Sequence, residues 1–216
     1  MVERFIPALG WRLLTPLYDP LVRLALPETT LKRDVVSAAR VGTIDRVLDV
    51  GCGTGTLVLM VLETASDACV IGLDGDPEVL RLASRKAKRT GQAPELHCGL
   101  ASSLPYRDSV FDRVLSTLAF HHLSHEVKVD ALREVHRVLR PGGELHLQDF
   151  DKPHNRWARF VTPFWRLFEG RDESHDNVQG RLPRMMRDAG FEEVQTRARF
   201  TPLFGTVASW SARKPG

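Results

Sequence analysis

The residues best suited to chemistry are two aspartates flanking a glycine-rich stretch, Asp49 and Asp74, and three histidines crowded into STLAFHHLSHE, His121, His122 and His125. In VLDVGCGTGTL (47–57), Gly51, Gly53 and Gly55 join a β-branched run to a helix-forming one. Glycines there let the backbone approach a ligand closely and adopt dihedrals that a side chain forbids. The helix start that follows offers unpaired N–H donors. Asp74 ends a second apolar run, nineteen residues after Gly55. At that place in a doubly wound sheet an acid can accept hydrogen bonds from both hydroxyls of a ribose. The pattern predicts a nucleoside lying across the carboxyl ends of the first two strands.

The spacing also discriminates between nucleosides. A dinucleotide fingerprint reads GxGxxG, whereas this loop reads GxGxG with Thr56 where the last glycine belongs. Asp49 is a fixed negative charge beside the loop. It repels a pyrophosphate but suits a cationic amino acid that carries an ammonium and a sulfonium. S-adenosylmethionine, with S-adenosylhomocysteine as product, is therefore the expected cofactor, ahead of NAD. For the histidines a metal site is not expected, because no cysteine or carboxylate cluster accompanies them. A general base is the alternative, since histidine titrates in the useful range.

The elements that must position these groups alternate. RVLDV (46–50), CVIGLD (69–74), ELHCG (95–99), RVLSTLAF (113–120) and ELHLQDF (144–150) read as strands. TLVLMVLETA, the segment opened by Asp76 as N-cap and Pro77 and running to about Arg89, and EVKVDALREVHRVLR (126–140) read as helices, the last stopped by Pro141-Gly142-Gly143. Alternation implies a mostly parallel sheet with helices on both faces. After residue 150 a helix from about Asn177 to Ala189 and two strands around Gly205 follow. With no crossover helix between them, those two strands should be antiparallel. The expectation is an α/β, doubly wound, mostly parallel seven-stranded sheet with an antiparallel last strand, in a single domain. Residues 1–42 form an arm and covering helix, 43–150 the cofactor core, 151–180 a lid, and 181–216 the closing helix and strands.

Bulk properties narrow the class. At 216 residues the chain suits one domain with a substantial core. A net charge of +3 without a Lys/Arg run argues against nucleic-acid binding. Three widely spaced cysteines suit a reducing cytoplasm rather than a disulfide framework. No stretch approaches the roughly eighteen apolar residues that span a bilayer, and charges and prolines interrupt any signal-peptide core near the start. The expected location is cytoplasmic.

Four stretches in order, VLDVGCGTGTL, GLDGDPEVL, CGLASSLPYRDSVFDRVLSTLAFHHL and ALREVHRVLRPGGEL, resemble the class I S-adenosylmethionine-dependent methyltransferases of the small type-11 group, related to quinone C-methyltransferases. The resemblance covers 46 to about 150. It implies that the glycine loop holds the methionine part, that Asp74 holds the ribose, and that the Leu100-Ala101 turn borders the adenine. The Ser116-Thr117 strand end would receive the amino group. Two residues depart from the family pattern: Leu100 stands where an acid usually bonds the adenine amine, and Gly75 where a bulkier side chain underlies the ring. Adenine recognition would then rest on backbone groups.

The same resemblance explains HHL as the end of the fourth strand, aimed at the methyl-donor sulfur. Adjacent strand residues face opposite ways, so one of the two histidines addresses the pocket. The expected base is His122, with Tyr18 of the arm folding over it; phosphobase methyltransferases, which resemble this group, use a comparable tyrosine–histidine pair. His121 is the fallback, and His125 should sit at a helix start on the surface. Trp157, Phe160, Val161, Phe164, Trp165 and Phe168 fall at helical spacing, which suits a core helix, a substrate lid or an interfacial helix. The expected partner is a small apolar or amphipathic acceptor, with no nucleic acid, weak membrane-surface contact, and a monomeric or homodimeric state. A catalytically idle module of the same fold is the second reading, left open by Leu100; a nicotinamide oxidoreductase is the third.

Overall fold

The computed structural model describes residues 28–160, 173–202 and 205–216. Tyr18 and the arm before Glu28, and the lid residues 161–172, lie outside the described residues. Seven strands form one sheet: β1 Arg46–Val50, β2 Cys69–Asp74, β3 Glu95–Cys98, β4 Phe111–Thr117, β5 Leu139–Asp151, β6 Glu192–Phe200 and β7 Thr206–Arg213. Their order is β3-β2-β1-β4-β5-β7-β6. The first five run parallel, and β7 is antiparallel to both of its neighbours. This is the doubly wound α/β sheet expected. Strand order reverses beside β1, and the gap between the carboxyl ends of β1 and β4 is where such sheets bind ligands.

The helices are α1 Glu28–Ala39, α2 Thr56–Thr64, α3 Pro77–Arg89, α4 His125–Val138, α5 His175–Val178 and α6 Leu182–Asp188. On one sheet face α1, α2 and α3 bury Val35, Leu57, Val61 and Leu80 against Val47 and Val70. On the other, Leu132 and Val135 of α4 and Met186 of α6 pack with Phe111, Leu147 and Trp210. Cover on both faces explains why Val47, Leu48, Asp49 and Val50 of β1 are all buried. At the start of α3, Asp76 accepts a 2.8 Å hydrogen bond from Glu78 N with Pro77 behind it, as the sequence predicts. No helix among the described residues is long and apolar enough to cross a membrane.

Three local expectations are corrected. Strand β4 ends at Thr117 rather than Phe120, because Leu118 takes a left-handed φ of 53° that breaks the pleat. His121 and His122 consequently lie on a 3-10 turn, Phe120–His122, and not on a strand, so the two-face argument does not apply to them. Strand β5 starts at Leu139 and passes through Pro141-Gly142-Gly143, because Gly142 N donates to Lys214 O and Lys214 N to Gly143 O beside it. The last helix is split into α5 and α6 at Gly180, whose φ is 67°, with Pro183 restarting it.

Candidate active site

The glycine loop grows directly out of β1. Gly51 N and Cys52 N both donate to Leu73 O, at 2.8 and 3.0 Å, which folds the loop back over the end of β2. Gly51, Gly53 and Gly55 have φ of 72°, 55° and 73°, a region that favours glycine. A Cβ on Gly53 would meet nothing within 4 Å, so the loop presents bare backbone to open space. A Cβ on Gly51 would lie 2.4 Å from the Cβ of Ala119, next to the histidine turn.

Asp74 is fixed from two sides, accepting from Gly53 N at 2.9 Å and from Asp76 N at 3.0 Å. A carboxylate has about four lone-pair sites, so about two remain for a ligand's hydroxyls. Asp49 is different: it is 1% exposed, and neither of its oxygens has a hydrogen-bond partner among the described residues. Burial drives its pKa up to about 7; Lys32 opposes the rise and Asp74 adds to it. An orphaned buried acid between a bare loop and a fixed carboxylate fits a cationic nucleoside, since a cation there restores what burial costs.

The adenine-side residues are placed as a turn after β3. Leu100 is 45% exposed and bridges Ser103, while Ala101 and Gly75 are partly buried. Ser116 and Thr117 end β4 and are buried, and the Ser116 hydroxyl donates to Val50 O at 2.8 Å. Ser116 therefore ties β4 to β1 at the mouth of the cleft.

His121 is buried and its Nδ1 lies 2.8 Å from Asp149 Oδ1. Asp149, itself fully buried, also accepts from Phe120 N at 2.8 Å, His121 N at 3.3 Å, Phe150 N at 2.7 Å and Asn177 Nδ2 at 3.2 Å. Burial alone would raise this carboxyl, but the charge and ring N–H of His121 and the Phe150 N–H hold it below its usual range. His122 lies against His121 with ring centroids 3.9 Å apart and the rings tilted by 44°, and it reaches solvent. The positive charge of His121, then desolvation by surrounding protein, push His122 down to about 3. It is thus neutral at working pH. His125 opens α4, half exposed as expected, with Nδ1 2.9 Å from Asp176 Oδ2.

Sequence reasoning missed Asp149, Asn177 and Lys32. An acid inside the apolar run of β5 is the one signal that could have found Asp149; the other two carry none. Trp157 and Phe160 are 53% and 66% exposed, so this end of the aromatic segment faces outward rather than into the core.

A family model described as a methyltransferase domain matches residues 47–143. The demethylmenaquinone methyltransferase of Thermus thermophilus is 37% identical over 142 residues, covering 65% of this chain and 64% of that protein. The demethylmenaquinone methyltransferase of Symbiobacterium thermophilum is 32% identical over 202 residues, covering 82% of this chain and 78% of its own. Among solved structures, the YcgJ protein of Bacillus subtilis shares the fold at a TM-score of 0.72 and 22% identity, covering 87% of this chain and 99% of that one. Kinship along most of both chains agrees with a cradle shaped for a cationic nucleoside: the chain belongs to the class I S-adenosylmethionine-dependent methyltransferases and is related to the quinone methyltransferases.

Proposed function

We propose that the chain methylates a ring carbon of an apolar, quinol-type acceptor. The observation that carries this is the histidine turn: it abuts the cofactor loop at Gly51 and Ala119, and it sets the exposed His122 against a His121 anchored by Asp149. The names of the two relatives support the same acceptor class. The bound cofactor supplies the methyl group. In the proposed step a C–CH3 bond forms as the S–CH3 bond breaks, and the ring must then lose one proton.

A ring that has just gained a methyl cation equivalent is a strong acid, so a weak base suffices to collect that proton. His122 serves as that base: it accepts the hydrogen bond of the acceptor's hydroxyl and takes that O–H proton as the C–CH3 bond forms, leaving a ring ketone that regains its hydroxyl when the C–H proton of the methylated carbon is lost to water. Asp149 fixes the ring of His121 through Nδ1, and His121 in turn backs the ring of His122. Exposed Trp157 and Phe160, flanked by Arg156 and Arg159, support shallow contact with the lipid surface in which such an acceptor dissolves.

The test offers the purified protein a reduced demethylnaphthoquinone, a simple phenol and a phosphobase amine, with products resolved by mass and NMR. Ring-carbon methylation of the quinol is expected, and His122→Ala should lower kcat about 100-fold or more with cofactor affinity unchanged. Methylation confined to the amine, or to oxygen, would overturn the proposal.

A further inference from the structure

The glycine loop has a cation beside its orphaned acid. Lys32, on α1, is only 7% exposed, although lysines stay in water unless paired. Its Nζ lies 2.6 Å from Glu28 Oε1, one turn earlier on the same helix. After burial, its charge is the largest influence on Asp49, and it also acts on Cys52 within the loop. Even so, neither Asp49 oxygen receives a hydrogen bond from the described residues.

Helix α1 is fastened to the sheet so that Lys32 is aimed rather than loose. Gln148 Nε2 donates to Leu31 O at 3.1 Å, Ser209 Oγ to Asp34 Oδ2 at 2.8 Å, and Arg113 Nε to Ala39 O at 3.1 Å. An anion and a cation held near one another, without pairing directly, are complementary to a zwitterion. The amino-acid end of the cofactor is one: its ammonium suits Asp49 and its carboxylate suits Lys32.

We propose that Lys32 is a cofactor-positioning residue that receives the α-carboxylate of S-adenosylmethionine, with Glu28 holding its ammonium in place. This rests on the cofactor assignment and deepens it. The competing role is charge compensation alone, in which Lys32 merely offsets Asp49. The two differ in what they predict for ligands lacking a carboxylate.

The experiment is calorimetry on the full chain with three ligands: S-adenosylhomocysteine, its decarboxylated analogue, and methylthioadenosine. Wild type should bind the intact ligand at least tenfold more tightly than the decarboxylated one. Lys32→Met should weaken S-adenosylhomocysteine about 10- to 100-fold, as for a lost charged hydrogen bond, and leave the two carboxylate-free ligands within about twofold. Lys32→Arg, which keeps the charge, should retain the preference. Equal weakening of the intact and the decarboxylated ligand by Lys32→Met, whether or not methylthioadenosine follows, or no weakening of any, would overturn the assignment while leaving the cofactor intact. If wild type binds none of the three, the cofactor reading itself fails.

Discussion

The two sides of the cleft are built by different means. On the β1–β3 side, one loop and one strand end make the cradle: three glycines in the left-handed region, and Asp74 tied by backbone N–H groups close to it in the chain. On the β4–β5 side, the histidine turn is held by groups from distant parts of the chain. Asp149 comes from β5 and Asn177 from α5, and α5 is in turn held by Lys128, whose Nζ lies 4.0 Å from Asp176 Oδ2. The first design is a backbone shape, which residue types specify directly. The second is a polar network, which exists only once the sheet has assembled. A shape can be shared by many enzymes of one cofactor; a network can be retuned to the acceptor.

Breaking the network without touching the cradle should produce the largest effect. Asp149→Asn removes the charge that faces His121 Nδ1 and several N–H donors. It should cost about 3 kcal/mol of stability, in the range for stranding one partner of a buried charged pair, and lower kcat by about 100-fold. Cofactor affinity measured by calorimetry should stay within about threefold. A comparable loss of cofactor affinity would show that the two sides are not separable.

The cradle has its own signature in pH. Asp49 is raised in the fold to about 7, from about 4 in an unfolded chain. The folded form therefore holds the proton more tightly between those values, and ligand-free stability should fall as pH rises from about 4 to about 7. A cationic ligand favours the ionised carboxylate. The dissociation constant for S-adenosylmethionine should thus fall by up to about tenfold per pH unit below about 7 and level off above it. Asp49→Asn should flatten both profiles, and a steep profile surviving in that variant would refute the assignment.

A sharper control lies within the cradle's own neighbourhood. The Asp76 side chain caps α3, while the group that holds Asp74 is its backbone N–H, which a substitution by alanine keeps. Asp76→Ala should cost about 1 kcal/mol, read as a fall of about 2–4 °C in Tm, with cofactor affinity and turnover unchanged.

The same contrast decides what could be read before the fold was known. The bounds of β1 and β2, the opening of α3 at Asp76-Pro77, and the antiparallel final pair all follow from local residue types, and the structure bears them out. The end of β4 did not follow, because Leu118 is driven to positive φ without a glycine to announce it. What sets that turn is the capture of its backbone by Asp149, twenty-eight or more residues away in the chain. Likewise, Pro141-Gly142-Gly143 looks like a helix stop and becomes part of a strand only because Lys214 lies alongside it. The aspartates of the cradle were legible; Asp149, Asn177 and Lys32 act through partners that no spacing rule connects.

A methyl on Gly51 would lie 2.4 Å from the Cβ of Ala119, closer than side chains approach one another. The donor loop and the histidine turn can meet this closely only while position 51 carries a bare α-carbon, so a single glycine sets the spacing between the two halves of the reaction.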